Sequence, residues 1–230
     1  MPAIDLIIFD CDGVLVDSEI VAARVESELL RKAGHDISPE ELTERYSGLT
    51  FKDILLTIER EAQVLFQATL IDKVETMIDE RLAREVKAIE GVAQVLATLK
   101  YRKCICSNST RHRIEASLKR AGLIHLFAPS EIFSSVDTPG LRPKPAPDVF
   151  LHAAKEMGAD PKNTIVIEDS MHGIAGARAA GMRVIGFTGA SHTHPRHADM
   201  LMEAGAETTV SRMSDLKPTI EALAEWSADI

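Results

Sequence analysis

Positive charge is in short supply: 26 lysines and arginines face 35 aspartates and glutamates, a net charge of −9 over 230 residues. Affinity for nucleic acid rests largely on neutralising phosphates with cations, so DNA and RNA are not expected partners. A small phosphorylated ligand remains compatible, because one local cation is enough to hold it. Cysteine is scarce too, with Cys11, Cys104 and Cys106 the three in the chain. Each lies in or beside an apolar strand-like run, which reads as a reduced thiol used as a small apolar residue and points to a reducing cytoplasm. No apolar run reaches the roughly 18 residues that span a bilayer, and an early Asp5 stands where an export signal would carry a basic stretch before an apolar one. Neither a membrane partner nor export is expected. The chain also lacks internal repeats, low-complexity tracts, long linkers and both glycine-rich nucleotide signatures, G-x-x-x-x-G-K-[ST] and G-x-G-x-x-G.

What is present is the composition of a soluble globular protein, 45% hydrophobic and 27% charged. The length suits one large core, or a core with a smaller inserted unit. Residues 4–9 predict a buried strand. Helical patterns then fill 18–33, 39–46, 51–63 and 67–87. Ser38-Pro39-Glu40-Glu41 reads as a capping box with proline at the first helical position, Thr50 to Asp53 gives a similar signal, and Leu70, Val74, Met77, Ile78 and Leu82 share one helical face. From residue 88 onward, short apolar runs at 103–106, 131–134, 164–168, 183–187 and 207–210 alternate with helical patterns near 91–100, 111–121, 147–157, 172–180, 196–204 and 214–226. Such alternation predicts an α/β fold, a Rossmann-like parallel sheet covered on both faces. The first strand belongs to that sheet, so 1–16 and 88–230 form the core and 17–87 an inserted all-helical cap, with hinges near 16–18 and 87–91. Open α/β sheets bind ligands at the carboxyl ends of their strands, which places the cap over the site like a lid.

Four polar groups fall at predicted strand ends. Asp10 and Asp12 end the first strand, side by side if the chain stays extended, and two carboxylates so close call for a cation. Gly13 then lets the backbone turn away. The second strand ends in Ser107-Asn108-Ser109-Thr110 at a helix N-terminus, a setting that suits an oxyanion, with capping by Ser109 or Thr110 as the plainer reading. Lys144 stands between prolines in Arg142-Pro143-Lys144-Pro145-Ala146-Pro147-Asp148, with Arg142 the rival phosphate ligand. Glu168-Asp169-Ser170 closes the fourth strand, and Gly173 and Gly176 suit close helix packing. Four carboxylates on one rim are hard oxygen ligands that suit Mg²⁺.

In order, Asp10-Cys11-Asp12-Gly13 through Asp17-Ser18-Glu19, the Ser107 strand end, the Lys144 loop and Glu168 through Gly173 resemble the four motifs of the haloacid dehalogenase-like hydrolases. The resemblance spans nearly the whole chain and is strongest to the phosphatase and β-phosphoglucomutase branch with a helical cap, including bacterial sugar-phosphate phosphatases. It implies Asp10 as nucleophile, Asp12 as acid and base, Mg²⁺ held by Asp10, the Asp12 carbonyl and Asp169 with Glu168 nearby, and Ser107 and Lys144 holding the phosphoryl oxygens. The substrate implied is a small phosphorylated metabolite, and the chain a monomer or small homo-oligomer. Relatives that cleave carbon–halogen or phosphonate bonds lack an acid at the position of Asp12, so its presence favours phosphoryl transfer from oxygen. The β-phosphoglucomutases carry a histidine ten residues after that acid; here Ala22 stands there, which favours water as acceptor over sugar. A catalytically silent binding module is the reading from another class. Asn108 and the cap residue Lys52, near Gly48, Leu49 and Thr50, are further candidates for substrate contact. His192, His194 and His197 read as an exposed loop rather than a second metal site.

Overall fold

The computed structural model describes residues 4–46, 51–62, 66 and 69–226. Its core is a six-stranded parallel sheet: β1 (Leu6–Phe9), β2 (Lys103–Ser107), β3 (Ile132–Ser134), β4 (Thr164–Glu168), β5 (Arg183–Phe187) and β6 (Thr208–Val210), in the order β3-β2-β1-β4-β5-β6. The strands are apolar on both faces, as covered parallel strands must be. Ile7, Phe9, Ile105, Ile165, Ile167 and Ile185 pack to one side, and Leu6, Ile8, Cys104, Cys106, Val166 and Val184 to the other. Burying each large aliphatic side chain contributes roughly 1.5–3 kcal/mol. All three cysteines are free and buried in these layers.

Four helices stand between β1 and the rest of the core: α1 (Glu19–Lys32), α2 (Pro39–Tyr46), α3 (Phe51–Ala62) and α4 (Thr69–Glu85). The Ser38 hydroxyl accepts from the Glu41 N–H at 3.0 Å, which starts α2 at Pro39. Helix α1 packs on α2 and α4, and Val21, Val25 and Leu29 give it a buried stripe at helical spacing. The two chain crossings into this unit are tied together, Asp17 N–H to the Lys87 carbonyl at 2.9 Å and Ile89 N–H to the Leu15 carbonyl at 3.0 Å. Gly48, Leu49 and Thr50 lie outside the described residues. No helix among the described residues is long and apolar enough to cross a membrane.

The core helices are α5 (Val92–Thr98), α6 (Arg111–Arg120), α7 (Asp148–Glu156), α8 (Met171–Ala179), α9 (His197–Glu203) and α10 (Leu216–Trp226). Helix α4 rests on α6, where Arg113 reaches across to Glu75 at 2.5 Å and to Asp79. Phe9 pairs with both Ile105 and Ile167, so the strands end level: Asp10 follows β1, Ser107 closes β2 and Glu168 closes β4 along one edge.

Candidate active site

Strand register alone brings Asp10, Ser107, Glu168 and Asp169 to one rim, and the loop before α7 adds Lys144. The Asp10 N–H is bonded to the Ile167 carbonyl at 3.0 Å, which fixes the aspartate where β1 leaves the sheet. Lys144 is buried, and its ammonium donates to Asp10 Oδ1 at 2.5 Å, Glu168 Oε1 at 2.5 Å and the Cys106 carbonyl at 2.8 Å. Asn108 positions that lysine: its Oδ1 accepts from the Lys144 N–H at 2.8 Å and its Nδ2 donates to the Lys144 carbonyl at 3.2 Å. Asn108, expected to contact substrate, has its side-chain amide engaged on the lysine backbone. Arg142 does not compete with Lys144. It points outward, 73% exposed, and pairs with Asp148 at 2.8 Å.

Asp10, Glu168 and Asp169 are buried and present ligand oxygens within 4.8 Å of one another. Three carboxylates against the one ammonium of Lys144 leave a surplus of negative charge in a desolvated place. Burial pushes Asp10 up, against the pull of Lys144, and Glu168, Asp169 and Asp12 push it further. Asp169 is raised by burial and by Glu168. Burial would lower Lys144, but Asp10 and Glu168 override it and keep the ammonium charged. A divalent cation with oxygen preference fits this donor set. Both Glu168 oxygens already receive protein donors, Oε1 from Lys144 and Oε2 from the Ser170 N–H and hydroxyl at 3.0 and 2.9 Å. Glycine keeps the room open. A Cβ at Gly13 would lie 1.7 Å from Asp169 Oδ2, and one at Gly173 would lie 1.8 Å from Glu168 Oε1. Gly176 is the packing glycine, against the backbone of Pro145 and Ala146.

The fourth carboxylate does not join the cluster. The chain fails to stay extended after Asp10, because it curls at Gly13, whose N–H bonds the Val16 carbonyl at 2.8 Å. Asp12 consequently faces β2: its Oδ2 accepts from the Ser109 hydroxyl at 2.7 Å and lies 3.4 Å from the Ser107 hydroxyl. Thr110 takes the cap of α6, accepting from the Arg113 N–H at 3.3 Å, and so leaves both serines to the site. Cys11, between the two aspartates, is pushed up by burial and stays a thiol.

These groups line a cavity of about 690 Å³, to which Glu19 of α1 and Asp53 of α3 also contribute. Lys52 is exposed, one residue away from Asp53 on α3 and outside the cavity lining. Glu19 keeps contact with the cavity solvent while protein crowding, Asp169 and Asp12 push its carboxyl up to about 7. Sequence reasoning gave Glu19 no role of its own, although it closes the first motif. It also misread the segment after β5. His192 and His197 are not exposed: both line the cavity, with His192 Nε2 3.2 Å from Asp169 Oδ2 and His197 Nε2 2.7 Å from the Asp169 carbonyl. Packing of the β5 loop over the end of β4 puts them there, and no local pattern signals it.

One turn pair beyond Glu19 on α1, Glu26 is pushed up to about 8 by burial, Glu19 and Glu75. Its ordinary value is 4.5, so the cost of burying its charge is absent below pH 4.5 and complete above pH 8. Stability therefore falls as pH rises through that window. Urea unfolding should find Glu26→Gln equal to the parent near pH 4.5 and more stable by about 1–2 kcal/mol near pH 8, the partial solvent contact of Glu26 keeping the gain modest.

A lysine bridging two strand-end carboxylates, a third carboxylate beside them and a helical insertion after the first strand constitute a family pattern. The family model for haloacid dehalogenase-like hydrolases matches residues 4–181. The chain belongs to the haloacid dehalogenase-like hydrolases. Among curated relatives of this hydrolase, 6-phosphogluconate phosphatase from Escherichia coli is 32% identical over 196 residues, 85% of this chain and 87% of the relative. A conserved haloacid dehalogenase-like protein of unknown function from Agrobacterium tumefaciens superposes with a TM-score of 0.92 at 57% identity, covering 96% of this chain and 100% of that one. A family hydrolase from Deinococcus radiodurans, solved with bound phosphate and sodium, superposes at 0.83 with 32% identity, covering 98% and 97%.

Proposed function

We propose that this hydrolase is a Mg²⁺-dependent phosphatase that cleaves a small phosphomonoester, a sugar or sugar-acid phosphate, through an aspartyl phosphate on Asp10. The arrangement of Lys144 between Asp10 and Glu168, with Asp12 turned aside onto Ser109, carries this reading. It separates two carboxylates into two jobs. Lys144 holds Asp10 by one oxygen and leaves the other to attack phosphorus. As the phosphorus–oxygen bond to the leaving alcohol breaks, Asp12 supplies the proton to that oxygen. Water then attacks the phosphoaspartate, Asp12 takes its proton, and inorganic phosphate leaves with Asp10 restored. Ser107 and the Lys144 ammonium offer donors to the phosphoryl oxygens. Asp10, the Asp12 carbonyl and Asp169 would hold Mg²⁺, with Glu168 behind them. When bound, the ion offsets the repulsion between an anionic nucleophile and an anionic phosphate.

That the relative from Deinococcus was solved with phosphate and sodium bound is in keeping with a phosphate ester as substrate and with a cation. The Escherichia coli relative supports a sugar-acid phosphate, and Glu19 and Asp53 on the cap wall are acceptors suited to sugar hydroxyls. Ala22, partly buried on α1, brings no proton-bearing group and so favours hydrolysis over a mutase. The test is a panel of sugar, polyol, sugar-acid and nucleoside phosphates followed by ³¹P NMR with and without Mg²⁺. Inorganic phosphate that requires Mg²⁺ is the expected product. Isomerised sugar phosphate without phosphate release would establish the mutase instead, and no turnover of any ester would refute both.

A further inference from the structure

We infer that His192 and His197 are positioning residues for the metal site, gripping Asp169 by its carboxylate and by its main-chain carbonyl, an inference that rests on Asp169 being a metal ligand. The loop after β5 is pinned first. The Ser191 N–H donates to Asp17 Oδ1 at 3.1 Å and its hydroxyl to Asp17 Oδ2, which ties the loop to the crossing between β1 and α1. The next residue, His192, has a side chain 8% exposed and sets Nε2 3.2 Å from Asp169 Oδ2. His197, at the start of α9 and 6% exposed, sets its Nε2 2.7 Å from the Asp169 carbonyl and its Nδ1 3.3 Å from the Thr193 hydroxyl.

These partners define the hydrogen positions. A carbonyl only accepts, so His197 carries its hydrogen on Nε2 and its Nδ1 accepts from the Thr193 hydroxyl. His192 Nδ1 is buried with no partner among the described residues, which leaves its Nε2, 3.2 Å from Asp169 Oδ2, as the ring's approach to the site. The rings also support each other, with the His192–His197 and His194–His197 centroids 5.3 and 5.4 Å apart. Gly13 meets both groups, since a Cβ there would fall 1.7 Å from the same Asp169 oxygen and 3.1 Å from His192 Cε1. Asp169 thus sits against a glycine that admits it and beside two histidines that orient it. Partners that hydrogen-bond a ligating group and fix its orientation typically govern metal affinity by 10–100-fold when removed.

The experiment measures Mn²⁺ binding by metal-free protein with calorimetry or EPR, alongside the Mg²⁺ concentration giving half-maximal phosphate release. His192→Phe keeps a ring and loses the donor, whereas His192→Gln keeps an N–H at the position of Nε2. His192→Phe should weaken Mn²⁺ binding by about tenfold or more and raise the Mg²⁺ requirement in parallel, while His192→Gln stays within about threefold of the parent. His197→Phe and His197→Gln should divide in the same way. Should His192→Phe not fold, His192→Leu takes its place, since it removes the donor without added bulk. Unchanged Mn²⁺ affinity in the donor-less variants, or equal losses in the Gln and Phe variants, would overturn the positioning role alone. A parent protein that binds no Mn²⁺ would overturn the metal reading and this inference with it.

Discussion

Asp10→Asn should abolish phosphate release while leaving the protein folded. Asparagine preserves the shape of the side chain and an acceptor for Lys144, but its amide oxygen is a poor nucleophile toward phosphorus. Removing the nucleophile of a covalent hydrolase costs on the order of 10⁴-fold or more in turnover. The same change relieves the site electrostatically. Three buried carboxylates crowd around one ammonium in the parent, and the variant has two. The metal-free variant should therefore melt at or above the temperature of the metal-free parent, and added Mg²⁺ should stabilise it less. A variant retaining more than about a hundredth of parental turnover would remove Asp10 from the role assigned to it.

The second large effect is expected at Lys144. Its ammonium is the single cation among Asp10, Glu168 and Asp169 in the buried cluster. Lys144→Met retains the apolar stem and deletes the charge. Stripping one partner from a buried ionic cluster costs about 3–5 kcal/mol, because the others remain desolvated and unpaired. Urea unfolding of the metal-free variant should show a loss of that size, partly recovered by Mg²⁺, which replaces some of the missing positive charge. Turnover should fall by roughly 10²–10³-fold even at saturating Mg²⁺, since a donor to the transferring phosphoryl group is gone. Full activity in a stably folded Lys144→Met protein would show that the lysine is structural only.

Much of this fold was legible because its strands are buried on both faces. Ile165-Val166-Ile167 and Ile7-Ile8-Phe9 are continuous apolar runs with polar residues at one end, and a parallel sheet lines those ends up whatever the intervening chain does. Helix starts were equally clear where a hydroxyl caps them, as Ser38 and Thr110 do. The parts that escaped depend on contacts between distant segments. Asp12 faces Ser109 and not the other carboxylates, because Gly13 turns the chain immediately after it. Arg142 and Lys144 are close in sequence, yet one is captured by Asp148 and the other by Asp10. On α3 the cavity-lining residue is Asp53, not Lys52, and one step along a helix swings a side chain by about 100°. His192 and His197 looked like loop residues until the packing of the β5 loop over β4 buried them.

The claim beneath all of this is that phosphate passes through Asp10. It is tested most directly by quenching the parent protein in acid during steady turnover of its best substrate with Mg²⁺, reducing with borohydride and mapping the peptides by mass spectrometry. Borohydride converts a phosphorylated aspartate to homoserine and leaves a free carboxylate untouched. The expected result is homoserine at position 10, dependent on substrate and Mg²⁺, with Asp12 and Asp169 unmodified. Steady turnover with Asp10 intact and the phosphoryl group recovered on another residue would contradict it.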